Sequence, residues 1–170
     1  MVNLPAQKPC DLAYALKIIA DDLNPVPVIY DGSVMPGADG RIVLSASEAA
    51  IHGETPKYEH VGSKDHIGCW ADSKDFVSWN VNVTKPGKFK VVVAYSCAEG
   101  AQGSVFSVET GDQKLEGKSL TTGSWETYRT DDLGVIELAK PGKFTISVKP
   151  KAEPKWKVIG LKSVALMPVE

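Results

Sequence analysis

Long apolar runs are missing from this 170-residue chain. None approaches the roughly 20 residues that a helix needs to cross a bilayer. Charge of one sign is missing too. Nineteen Lys and Arg stand against 21 Asp and Glu, a formal net charge of -2, with no basic stripe and no acidic tail. Nucleic acid and membrane are therefore not expected partners. Cysteine is scarce: Cys10, Cys69 and Cys97. An odd count leaves at least one thiol without an intramolecular partner. Pairing of Cys69 with Cys97 stays open, and buried free thiols are the favoured expectation. The three Cys and three His contain no C-x-x-C or H-x-x-x-H spacing, so no metal site is expected. No basic start with an apolar core follows Met1, so no signal peptide is visible.

What is present is a repeat. Lys-Pro-Gly-Lys-Phe occurs at Lys85–Phe89 and again at Lys140–Phe144. Alternating apolar runs flank both copies: Val77, Trp79, Val81, Val83 and Phe89, Val91, Val93, Tyr95 around the first. Val135, Ile136, Leu138 and Phe144, Ile146, Val148 flank the second. Period-two apolar residues mark strands with one buried face. Pro-Gly marks a turn, since Pro presets φ and Gly tolerates positive φ. The chain thus twice reads strand, turn, strand, which predicts antiparallel hairpins in a β-sandwich.

Strands are predicted at 42–50, 75–83, 88–96, 104–109, 113–120, 125–130, 134–138, 143–149 and 157–167. The fold class is all-β, an antiparallel jelly-roll sandwich over 41–170 with an N-terminal extension or connector over 1–40. Within that extension Leu12–Ile19 fits either a helix capped by Asp11 or an alternating strand, and Pro25 and Pro27 end it. Turn signals at Asp31-Gly32, Pro36-Gly37 and Asp39-Gly40 read as a linker. The segment 51–74 is a long polar loop carrying Tyr58, Asp65, His66 and Trp70, and such loops are usually functional or mobile.

Catalytic chemistry finds little support. Gly111 to Ser119 resembles a phosphate loop, but five residues separate its glycines where four are required, and no helix follows; a hairpin turn is the better reading. Asp65-His66 has no nucleophile motif beside it, and adjacent residues point to opposite sides of an extended chain. No pair of carboxylates can be assigned to glycoside hydrolysis. Asn82-Val83-Thr84 is a weak glycosylation match. The tryptophans say more. Trp79 alternates with valines and belongs to the core. Trp70, Trp125 and Trp156 stand at strand ends beside Gly, Ser, Lys or Pro, where an aromatic plane can stack on a sugar ring while polar neighbours bond its hydroxyls.

These motifs, in their order, carry a resemblance. From Ile42 onward, over roughly three quarters of the chain, it resembles galactose-binding-like carbohydrate-binding modules of families 6 and 35. Ile42-x-Leu44-x-Ala46-x-x-Ala49 is similar to their opening strand, and Asp65-His66-Ile67-Gly68-Cys69-Trp70 to their glycine-aromatic loop. Asp75-Phe-Val77-Ser-Trp79 with Pro86-Gly87-Lys-Phe89 resembles their core, and Thr122-Gly123-Ser124-Trp125-Glu126-Thr127-Tyr128 their "T-G-x-W" loop. Asp39-Gly40 through Ile51-His52-Gly53 is closer still to the module that follows the catalytic domain in bacterial α-L-fucosidases of glycoside hydrolase family 29.

The resemblance implies a non-catalytic module of a secreted bacterial glycoside hydrolase, extracellular or periplasmic, whose partners are a glycan and the catalytic domain of its parent chain. The alternative is an accessory domain that packs on that catalytic domain and binds no sugar. The implied ligand residues are Trp70, Trp125 and Trp156 for stacking, with Asp65, His66 and Lys157 as polar help. An Asn before the last strand usually anchors the sugar, and Gly160 stands there instead. Modules of family 6 commonly hold a structural calcium through a Glu of the opening strand and an Asp of the last. Those positions are Ser47 and Lys162 here. Glu48 is one residue off and faces the other way, so neither calcium nor any other cofactor is expected.

Overall fold

The computed structural model describes residues 31–152 and 155–169. Cys10 and the Leu12–Ile19 segment lie outside the described residues. Among the described residues eleven strands follow one another: β1 (Ile42–Ser45), β2 (Ala50–His52), β3 (Lys57–Glu59), β4 (His66–Gly68), β5 (Phe76–Val83), β6 (Gly87–Ser96), β7 (Val105–Thr110), β8 (Gln113–Lys118), β9 (Tyr128–Leu138), β10 (Gly142–Pro150) and β11 (Gly160–Pro168). They form two antiparallel sheets, one ordered β2-β5-β10-β7-β8, the other β3-β4-β11-β6-β9 with β1 also on β11. The alternating residues of the sequence meet between them. Val77, Trp79, Val81 and Val83 from the first sheet oppose Val91, Val93, Leu161 and Val164 from the second, all essentially inaccessible. The expected all-β antiparallel sandwich is the observed fold.

The repeated turns do a different job from the expected one. Neither closes a hairpin. β5 pairs with β10, where Val83 faces Gly142, and β6 pairs with β9, where Gly87 faces Leu138. Each Lys-Pro-Gly-Lys-Phe turn is therefore an arch from one sheet to the other, and the two arches stand side by side at one end, crossing in opposite directions. Alternation reports which face of a strand is buried, not which strand lies beside it. A hairpin and an arch have the same sequence pattern for that reason.

Three other boundaries differ. The expected strand 42–50 is broken by a single 3-10 turn at Ala46–Glu48, which moves the chain from β1 in one sheet to β2 in the other. The expected strands 125–130 and 134–138 are one strand, β9, with a bulge beside Gly134, whose φ is 117°. The loop 51–74 contains β3 and β4. The hairpin read at Gly111–Ser119 is present between β7 and β8, with Gly111 at φ 54°. Val34, inside the expected linker, bridges to Val81 of β5. Where β8 and β9 meet, Gln113 mimics a strand: its carboxamide donates to the Glu137 carbonyl at 2.6 Å and accepts the Glu137 N–H at 2.7 Å. Those edge groups are thereby closed to another chain.

Candidate functional site

The end of the sandwich opposite the arches gathers the candidate residues. Here β11 begins at Gly160 beside Ser96, the last residue of β6, and Ser96 faces Tyr128, the first residue of β9. Trp70 follows β4, Trp125 precedes β9 and Trp156 precedes β11, so all three loops lie at this end.

Two of the three tryptophans are not at the surface. Trp70 is 0% exposed and Trp156 7%. Their rings meet edge to face at 5.7 Å. The Trp156 indole N–H donates to the Trp70 carbonyl at 2.7 Å, and that of Trp70 to the Asp75 carbonyl at 3.1 Å. The backbone at Cys69 explains the inversion. In β4 His66 and Gly68 face outward and Ile67 inward, so continued alternation would bury Cys69 and expose Trp70. Cys69 has φ 55°, the one described non-glycine residue in the left-handed region. That reversal turns its side chain out and sends Trp70 into the core. The expectation of buried thiols accordingly holds for Cys97 and fails for Cys69, which is exposed; both are free.

Trp125 is the least buried of the four tryptophans, half-buried on a braced loop. Thr122 Oγ1 accepts the Cys97 N–H at 2.9 Å, and Ser124 Oγ accepts the N–H groups of Glu126 and Thr127 at 3.3 and 3.1 Å. The next residue, Glu126, lines an open hollow of about 550 Å³ with Tyr58, His60, Val61, Lys64 and Cys69. Tyr58 and His60 stack at 5.2 Å and 18°, and Val61 is 78% exposed. An aromatic and apolar floor rimmed by Lys64 and Glu126 has the amphipathic character of a sugar subsite. The sequence marks Tyr58 as part of the long polar loop and His60 as a hydrogen-bonding or surface histidine, and neither is among the expected ligand residues. Their two-residue spacing, which puts both on one face of an extended chain, was the available signal.

Asp65 and His66 separate as adjacent residues on a strand must. Asp65 is exposed; its carboxylate accepts the Tyr58 hydroxyl at 2.9 Å. His66 is 1% exposed, with Nδ1 2.7 Å from the Tyr128 hydroxyl and Nε2 3.1 Å from Glu59. The Asp65 N–H donates to the same Tyr128 oxygen at 3.0 Å. One tautomer satisfies every group: Tyr128 donates to Nδ1, and Nε2–H donates to Glu59. Burial, foremost, raises the Tyr128 phenol above its ordinary pKa, which keeps the hydroxyl a donor. Burial would also raise the Glu59 carboxyl, but Lys64 and His66 outweigh it and hold the group below its usual value. With both ring nitrogens engaged, His66 offers no face to a ligand, and its expected role as a contact gives way to one of joining β3, β4 and β9. Lys157 is exposed, but its ammonium already donates to the carbonyls of Gly100 and Gln102 at 2.9 and 3.4 Å.

At position 160 there is no room for the anchoring Asn that the resemblance implies. A Cβ on Gly160 would collide with Ser96 Oγ and stand 2.9 Å from His66 Nδ1. The residues also do not fit the calcium that the resemblance implies. A hard cation needs several carboxylate or carbonyl oxygens. Ser47 and Lys162 offer a hydroxyl and an ammonium, and the described residues contain no group of three or more His, Cys, Asp or Glu able to hold a metal.

No family model and no curated protein matches the chain. Solved structures do. A family 35 carbohydrate-binding module from Clostridium thermocellum aligns at TM-score 0.61 and 20% identity over 74% of this chain and 97% of the module. The fold is that of the family 35 modules. The β-(1,4)-mannanase of Podospora anserina, glycoside hydrolase family 26 joined to such a module, aligns at 0.61 and 17% identity. That match covers 78% of this chain, which spans only 28% of the mannanase. The insecticidal crystal protein Cry2Aa aligns at 0.63 and 11% identity. A fold shared by a sugar-binding module and a toxin does not name a ligand.

Proposed function

We propose that this chain is a non-catalytic carbohydrate-binding module of a secreted bacterial glycoside hydrolase, an α-L-fucosidase by the likeness of its opening strand. In this reading a glycan stacks on Trp125 and extends into the hollow over Tyr58 and Val61, with Asp65, Lys64 and Glu126 within its polar reach. The observation that carries it is Trp125 itself: of four tryptophans, it alone is left partly open, on a loop braced by side-chain hydrogen bonds beside a hollow. A rigid aromatic loses little entropy on binding, which suits weak recognition of a sugar face. Trp70 and Trp156 then support the loops from inside.

Their burial also favours the second reading, an accessory domain that packs on a catalytic neighbour and binds no sugar. Glycan-array screening of the isolated chain, followed by calorimetric titration of the best hit, separates the two. Binding lost in W125A supports the module. The absence of binding to any plant, algal or host glycan leaves the accessory reading.

A further inference from the structure

Lys162 occupies a bulge. The register of β11 against β6 shifts between Leu161 and Ser163, so Lys162 and Ser163 both turn outward while Leu161 and Val164 stay buried. Bulges re-aim side chains in this way. The ammonium is thereby placed 4.5 Å over the Tyr128 ring and 3.8 Å from Asp65 Oδ2. The other Asp65 oxygen accepts from Tyr58. One positive charge on β11 therefore lies among groups drawn from three other segments: β3, the 60–65 loop and β9.

We propose that the Lys162 ammonium is a built-in structural cation, doing from within the chain the work of a bound divalent ion at this sheet edge. At the two positions where the resemblance implies calcium-ligating acids, Ser47 and Lys162 offer a hydroxyl and an ammonium. A carboxylate facing an ammonium and an aromatic face is a satisfied cation site. A divalent ion brought to it would meet one carboxylate and a like charge. The cluster fixes Tyr58 and the 60–65 loop, so the wall of the hollow is set without metal. The inference does not depend on whether a glycan binds there.

The test is thermal unfolding of the whole chain by circular dichroism, with amide exchange over 57–65. Chelation with EDTA, or addition of millimolar CaCl2 or MgCl2, is expected to leave the wild-type Tm unchanged within about 1 °C. K162M, which keeps the aliphatic stem, is expected to lower Tm by about 2–4 °C and to speed exchange over 57–65. K162R is expected to restore both. In 1 M NaCl the gap between wild type and K162M should narrow, because the half-exposed pair is screened. A wild-type Tm that falls in EDTA and recovers with CaCl2 overturns the proposal. So does a K162M chain with unchanged Tm and exchange, or a K162R chain that behaves as K162M does.

Discussion

Trp156 donates its indole N–H to the carbonyl of Trp70 at 2.7 Å, and the two rings meet edge to face. Each tryptophan thus satisfies a polar group that the other's position requires, and both are core residues in a loop-rich end of the sandwich. Trp70→Ala and Trp156→Ala are expected to cost about 3–5 kcal/mol each, read by urea unfolding. Trp125→Ala is expected to cost less than about 1 kcal/mol, since its ring is only half-buried. Equal losses for all three would mean that Trp125 is a structural residue.

The left-handed backbone at Cys69 carries a strain that glycine does not. Cys69→Gly is expected to raise stability by about 1 kcal/mol and to leave the Trp70 environment unchanged by near-ultraviolet circular dichroism. A destabilised variant would show that the Cys69 side chain contributes more to the hollow than the φ angle costs.

The sandwich itself was legible, and for a physical reason. Every second residue of β5, β6 and β10 is apolar because each strand has one dry face, and that pattern survives any rearrangement of neighbours. The arches were not legible as arches because pairing leaves no trace in alternation. The site was legible only in part. Strand ends beside Gly and Pro were a fair guide to where the loops lie, but not to which way an indole points. That depended on one φ angle, at Cys69, and on hydrogen bonds between residues 86 positions apart. The Tyr128–His66–Glu59 chain is equally non-local, and nothing in the separate segments announces it.

Gly160 faces Ser96 across the β11–β6 ladder with no room for a Cβ. Among the described residues Ser96 Oγ is the buried side-chain polar atom with no hydrogen-bond partner, and it lies where a Cβ at 160 would go. Gly160→Ala is expected to destabilise by about 1–3 kcal/mol through overpacking. Ser96→Ala alone should be neutral or slightly stabilising, because it removes an unpaired buried hydroxyl. The double variant should recover part of the Gly160→Ala loss, a non-additivity that a double-mutant cycle measures. Strict additivity would mean that the two positions are not in contact.

Glu109 lies between two lysines, with Lys149 at 2.7 Å and Lys114 at 3.2 Å. The hydrogen bond from Lys149, foremost, holds its carboxyl down at about 2, against 4.5 for the unperturbed group. The folded carboxyl ionises at lower pH than the unfolded one. Its contribution is therefore complete above about pH 4.5 and is lost as the pH falls toward 2. With both lysines half exposed, solvent screening reduces that contribution to on the order of 1 kcal/mol. Denaturant unfolding at pH 7 and pH 3 should show a larger fall for wild type than for Glu109→Gln. Equal falls would remove Glu109 as a source of the acid sensitivity.

Trp125 is proposed as the platform on which a sugar ring stacks. Calorimetric titration of the best glycan-array hit into wild type and Trp125→Ala, at matched fold integrity by Tm, tests it most directly. Measurable binding by wild type and at least a roughly tenfold loss, about 1.4 kcal/mol, in the variant are expected. A variant that binds as tightly as wild type, or a wild type that binds none of the glycans, would contradict it.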